Sequence, residues 1–164
     1  MKQLALLGLL LLGGCGLQPM YAGGQHGAVA QALSGVEVGQ IGGQEGWMVR
    51  NALVDRLGAE GHSQGRYRLD VTLDDQITGF GIRSNNTVTR ERRSLRARFK
   101  LVDLSNQAVV LDATAGSDAG IDVVTSEYAV IAAEQTALER LSGEVADQIV
   151  TRVAIYARQH RDKE

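Results

Sequence analysis

Ser94-Leu95-Arg96-Ala97-Arg98-Phe99-Lys100-Leu101 sets an apolar side chain at every odd position and a polar or basic one at every even position. A side-chain period of two belongs to an extended strand, whose successive Cβ atoms point to opposite faces. Two flanking segments obey the same rule. Tyr67, Leu69, Val71 and Leu73 alternate with Arg66, Arg68, Asp70, Thr72 and Asp74, while Val109, Leu111, Ala113 and Ala115 make a third run. One apolar and one polar face per strand is the signature of an antiparallel sheet covered on one side. Apolar residues oppose apolar ones across the turn at Asp103–Gln107 only if paired positions sum to an even number. That demands a loop of odd length, roughly three or five residues. A sum of 210 sets Phe99 opposite Leu111 and Arg98 opposite Asp112. In the preceding hairpin a sum near 166 sets Asp70 opposite Arg96 and Asp74 opposite Arg92, with Gly79-Phe80-Gly81 in the loop.

Helical periodicity flanks these strands. After a short strand at Val36–Ile41 and the pair Gly42-Gly43, a helix is expected from near Gln44 to about Ala59, closed by Gly61. Trp47, Val49, Leu53, Val54 and Leu57 share one apolar arc of about 160°, so Trp47 reads as core. A second, long helix is expected from Ser126 to Gln159, with Ile131, Leu138, Leu141, Val145, Ile149, Val153 and Tyr156 on its apolar stripe. Gly143 within it costs about 1 kcal/mol relative to alanine and marks a place for a bend. The order β-α-β-β-β-α predicts an α+β fold, a two-layer sandwich with a roughly four-stranded, mostly antiparallel sheet and both helices on its apolar face. Pattern leaves open whether Val36–Ile41 lies beside the first hairpin strand or at the far edge.

The N-terminus reads differently. Lys2 precedes an unbroken apolar run from Leu4 to Leu12, which is far shorter than the roughly 20 residues a membrane-spanning helix needs and suits the core of a signal peptide. Leu12-Gly13-Gly14-Cys15 follows directly and resembles a bacterial lipobox, with small residues before a cysteine whose thiol can take a diacylglyceryl group. Cys15 is the only cysteine in the chain, so an internal disulfide is excluded. The expected organisation is a signal peptide at 1–14, a lipidated Gly/Ala/Gln-rich tether at 15–35, one domain at 36–160 and a tail at 161–164. Two or three acyl chains on Cys15 make a stable anchor, at about 0.8 kcal/mol per buried CH₂. Gly16, where enterobacterial inner-membrane lipoproteins commonly carry aspartate, points to the outer membrane.

Charge is unevenly distributed along the chain. Seven basic residues and one acidic residue lie between Arg83 and Lys100, whereas 101–139 holds seven acidic residues and no basic one. Arg90, Arg92, Arg96, Arg98 and Lys100 share one parity and form a ribbon on the polar strand face; Arg93 and Glu91 have the opposite parity and are expected past the buried part of the strand. The ribbon reads either as a solvated face whose neighbours supply counter-charge or as a phosphate- or carboxylate-binding surface built on arginine forks. Arg90, Arg93 and Lys100 show no evident partner in the expected registers, so the second reading stands beside the first. No nucleic-acid role suits a chain of formal charge −2 with 4% aromatic residues. No metal-ligand, nucleophile-elbow or P-loop pattern is present. His26, His62 and His160 fall in the tether, a helix exit and the C-terminal tail, and Asp74 and Asp75 point to opposite faces. Neither catalysis nor a metal or other cofactor is expected beyond the diacylglycerol and N-acyl chain on Cys15.

Cys15-Gly16-Leu17-Gln18-Pro19-Met20-Tyr21 resembles the C-G-F-x-P-L-Y opening of the mature LptE family of lipopolysaccharide-assembly lipoproteins. The element order is similar to that family, as is the long alanine-rich final helix with Ile149-Val150-Thr151-Arg152-Val153 near its end. Leu17 and Met20 are conservative departures. The resemblance implies a non-enzymatic outer-membrane lipoprotein that plugs the lumen of the β-barrel LptD, helps it assemble and assists lipopolysaccharide delivery to the outer leaflet. It identifies no contact residues; Arg90, Arg92, Arg93, Arg96, Arg98 and Lys100 are the candidates that charge supplies. An auxiliary lipoprotein of an ABC-type phospholipid transport system is the alternative.

Overall fold

The computed structural model describes residue 33 and residues 35–58, 65–82 and 88–161. The segment expected to be a signal peptide, Cys15, His26, His62 and Arg83 lie outside the described residues. The elements run β1 (Val36–Val38), α1 (Gly43–Leu57), β2 (Tyr67–Ile82), β3 (Val88–Asp103), β4 (Ala108–Asp122) and α2 (Glu127–Arg161). They form the expected α+β sandwich, with one four-stranded sheet in the order β1-β2-β3-β4. β1 lies parallel to β2, settling the open question of its place, and the other pairs are antiparallel. It stops at Val38 rather than Ile41.

Both helices cover the odd-numbered face of the sheet. Leu53 of α1, Leu69, Leu95, Phe99 and Leu101 of the strands, and Leu141, Val145 and Ile149 of α2 are at most 1% exposed. The helices run parallel to one another, because Gln44 Nε2 donates to Gln135 Oε1 at 3.1 Å and Arg56 Nε to Asp147 Oδ1 at 2.5 Å, two contacts with the same sequence offset. Leu33 is also buried in the core.

Several expected details change. α1 ends at Gly58, not near Gly61: Gly58 adopts φ +64°, and its N–H caps the Val54 carbonyl. It is the first residue able to take the left-handed conformation without steric cost. Trp47 is 64% exposed rather than core. The buried stripe runs through Gly46, Val49, Leu53 and Leu57, and the chain passes so close to Gly46 that a Cβ there would lie 2.7 Å from the Ile41 carbonyl oxygen. Ile131 and Val109 are likewise exposed, at 55% and 52%. Each lies toward one end of its element, and the burial on β4 falls instead on Ala115, Ala119 and Ile121. Gly79-Phe80-Gly81 belongs to β2, not to a loop, and His160 sits in the last turn of α2 with its ring stacked on Tyr156 at 4.1 Å.

The registers keep the expected parity but slide. β2 and β3 pair with a constant sum of 170, so Asp70 faces Lys100 and Asp74 faces Arg96. β3 and β4 pair with a sum of 212, setting Phe99 opposite Ala113 and Arg98 opposite Thr114. A bulge between Leu101 and Val102 then changes the sum by one. The loop spans Leu104–Gln107 between the two strands and is even in length, because the bulge supplies the parity change that an odd loop would otherwise provide. Hydrophobic matching sets parity alone; turn and bulge choose among the registers of that parity.

Candidate functional site

The uncovered face of the sheet carries the even-numbered residues of β2, β3 and β4 in transverse rows. From one end these are Asp70–Lys100–Asp112, Thr72–Arg98–Thr114, Asp74–Arg96–Gly116, Gln76–Ser94–Asp118, Thr78–Arg92–Gly120 and Phe80–Arg90–Asp122. Most of its cations are matched by carboxylates. Arg98 Nη2 reaches Asp112 Oδ2 at 2.9 Å, one row away. Arg96 Nη2 reaches Asp118 Oδ2 at 2.8 Å and its Nη1 donates to the Ser117 carbonyl. Its aliphatic stem lies across Gly116, where a Cβ would come within 2.6 Å of Cδ. Arg90 Nε reaches Asp122 Oδ1 at 2.9 Å, and Arg68 Nε reaches Asp70 Oδ1 at 2.9 Å. The Ser94 hydroxyl and then the Arg96 guanidinium hold the Asp118 carboxyl below the usual carboxylate range, and Arg98 does the same for Asp112. Arg90 therefore has a partner after all.

Lys100 lies between two aspartates in register without a direct ion pair among the described residues. Arg92 is the other unpaired cation of the ribbon: its row contains no carboxylate, its Cζ lies 5.4 Å from the centre of the Phe80 ring, and nothing stands within 4 Å of where a Gly120 side chain would begin.

Arg93 is not part of this face and does not lie past the core. It points under α2, where its Nε and Nη2 clasp Asp75 at 2.9 and 2.5 Å and its Nη1 donates to the Glu134 carbonyl at 2.9 Å. The two side chains are only 13% and 15% exposed, and the hydrogen bond to Asp75 raises the Arg93 pKa further. Glu91 shares this inner face, with Oε2 buried and without a hydrogen-bond partner. Arg93 is thus a structural cation. The sequence-predicted ribbon keeps five members, of which three are neutralised.

The end of the sheet where β2 meets β3 adds residues that parity reasoning missed. Ile77, Phe80 and Val88 are 43%, 39% and 40% exposed there, beside Arg90 and Arg92. Val124, Tyr128 and Ile131, at the same end on the approach to α2 and its first turns, are 52%, 87% and 55% exposed. A sequence signal existed: Ile77 and Phe80 differ in parity, so one strand cannot bury both on one face. Among the described residues no helix is long and apolar enough to cross a membrane, and no cluster of His, Cys, Asp and Glu could hold a metal.

A four-stranded sheet with two parallel helices on one face is a fold that this chain shares with solved bacterial lipoproteins. A putative lipoprotein from Caulobacter crescentus CB15 is 27% identical, with 81% of this chain and 97% of that one covered and a TM-score of 0.69. A minor lipoprotein from Acinetobacter baumannii (13% identity, 73% and 90% covered, TM-score 0.60) shares the fold. So does the rare lipoprotein B from Shewanella oneidensis (10% identity, 77% and 98% covered, TM-score 0.60). The model of the LptE family, described as lipopolysaccharide-assembly, matches residues 33–153, and the chain belongs to that family. No curated protein matches the sequence.

Proposed function

We propose that this domain serves lipopolysaccharide assembly without catalysing a reaction, as the plug of the outer-membrane barrel LptD, held to the membrane by acyl chains on Cys15. The observation that carries this reading is the uncovered sheet face. It is long, since β2 and β3 have 16 residues each, about 50 Å at 3.3 Å per residue. The apolar band of a transmembrane barrel is only about 25 Å tall, and its lumen is polar. A ladder of aspartates and arginines can line such a lumen without burying apolar surface or unpaired charge. The end with Arg90, Arg92, Phe80, Ile77 and Tyr128 combines guanidinium groups with exposed apolar side chains, a pairing suited to phosphates that carry acyl chains. In this reading the lipopolysaccharide contact lies there, and the paired arginines Arg96 and Arg98 face the barrel wall.

The test is affinity capture of the tagged full chain from detergent-solubilised envelope, with co-purifying proteins identified by mass. A large β-barrel in about equal amount is the expected result. Recovery of ABC-transporter components instead would replace this reading with the phospholipid-transport alternative. Charge reversal of Arg92 and Arg96 then separates the roles: Arg92→Glu should weaken lipopolysaccharide binding, and Arg96→Glu barrel capture. If both stay unchanged, the ribbon is a solvated face.

A further inference from the structure

β4 has β3 on one side and, among the described residues, no strand on the other. From Leu111 onward, past the bulge, its odd residues direct their backbone groups toward β3, as the bond from the Val123 N–H to the Thr89 carbonyl marks at the end of the ladder. The even residues direct theirs outward. At Gly116 those outward groups are occupied by a side chain: the Gln148 Oε1 accepts from the Gly116 N–H at 3.1 Å, and its Nε2 donates to the Gly116 carbonyl at 3.1 Å. This amide offers the same donor and acceptor that a residue of a fifth strand would offer. On either side of it Asp112, Thr114, Asp118 and Gly120 are exposed, and no strand among the described residues covers the edge.

Two hollows flank this edge, and Gln148 and Arg152 line both. The inner one, of roughly 660 Å³, lies between Leu111 and Ala113 of β4 and Ile155 and Tyr156 of α2. It is an apolar recess that α2 leaves uncovered, with Ile155 45% exposed. The outer one, of roughly 570 Å³, brings Arg152 round the edge to join Arg96 and Arg98 beside Thr114. Arg96 and Arg98 have their own carboxylates, whereas Arg152 has no ion-pair partner among the described residues. An added strand would send alternate side chains into the two hollows. The inner hollow presents mostly apolar surface, with Asp147 and Arg152 also in its lining, and the outer sets three guanidinium groups against one lining carboxylate, Asp74, so the first suits apolar groups and the second carboxylates.

We propose that the free edge of β4 is a docking site for an extended segment of a partner protein whose side chains alternate apolar and acidic, and that Gln148 occupies the edge until that segment displaces it. Strand addition supplies main-chain hydrogen bonds, and the paired hollows supply selectivity. The inference stands on the β4 edge alone and does not depend on the plug reading.

Amide hydrogen exchange on the full chain in detergent micelles tests it, using two blocked peptides of about nine residues. One alternates valine with glutamate and the other valine with lysine. The outward Thr114 N–H should exchange freely in the free chain and slow by about tenfold or more with saturating valine–glutamate peptide. The valine–lysine peptide should do nothing. Arg152→Glu, a surface change that leaves the core intact, should invert that preference, and Gln148→Ala should tighten the valine–glutamate peptide several-fold. Equal protection by both peptides, protection by neither, or an unchanged or weaker affinity in Gln148→Ala would overturn the proposal. So would protection of Thr114 that grows with protein concentration alone, which would assign the edge to a second copy of this chain.

Discussion

Asp75→Ala removes the counter-charge of a guanidinium that the fold keeps largely from water. Arg93 makes three hydrogen bonds to Asp75, one Nε–H being shared between both carboxylate oxygens, and one to the Glu134 carbonyl, and both charged side chains are within 15% of full burial. Hydrogen bonds to charged groups contribute about 1.5–3 kcal/mol each, and stranding one member of a buried pair costs about 3–5 kcal/mol. The residual exposure of this pair and the surviving carbonyl contact put Asp75→Ala near the lower end, about 3 kcal/mol. Arg93→Met retains the apolar stem but unties α2 from β3, at about 2 kcal/mol. In the double variant neither charge is stranded, so its cost should be about that of one single change, a coupling of about 2 kcal/mol. Urea denaturation followed by circular dichroism reads this directly: with a slope of about 2 kcal/mol per molar, Asp75→Ala should lower the midpoint by more than about 1 M. Additive single changes, each below about 0.5 kcal/mol, would show that the pair is solvated and that the reasoning from burial is wrong.

Two glycine-to-alanine changes should move thermal stability in opposite directions. At Gly143, in the middle of α2, the new Cβ meets only Arg56 Nη2 at 3.6 Å, so the helix gains up to about 1 kcal/mol, about 3 °C in Tm. At Gly46, on α1, the Cβ would lie 2.7 Å from the Ile41 carbonyl oxygen, and the overpacking should cost about 1–3 kcal/mol despite the better helix propensity. Asp118→Asn should destabilise the domain at neutral pH but progressively less in acid. The folded-state pKa of Asp118 is lowered by Ser94 and Arg96, so its contribution is complete above the unfolded carboxylate value of about 3.9 and is lost as pH falls through the lower folded value. Melting curves of the two proteins from pH 7 down to about 2 should converge; a gap that widens in acid refutes the assignment.

Alternation and helical periodicity determined the β-α-β-β-β-α order, the buried face of each central strand and the stripe from Leu138 to Val153, because these depend on which way a side chain points from its own backbone. Parity was local too, and so it survived. The register was not: Phe99 opposes Ala113 instead of Leu111 because a bulge beside Leu101 and the reach of the turn choose among alignments that bury equally apolar sets. The five-residue ribbon was legible as a row of cations, and so was the pairing of Arg98 with Asp112; the partners of Arg96 and Arg90 were not, since Asp118 and Asp122 lie 20 or more residues further along the chain. Only the packing of α2 made Arg93 an interior cation, turned Trp47, Tyr128 and Ile131 outward, and brought Gln148 to the backbone of Gly116. Each of these depends on where one element ends relative to another, a distance set by the whole fold and carried by no single stretch of chain.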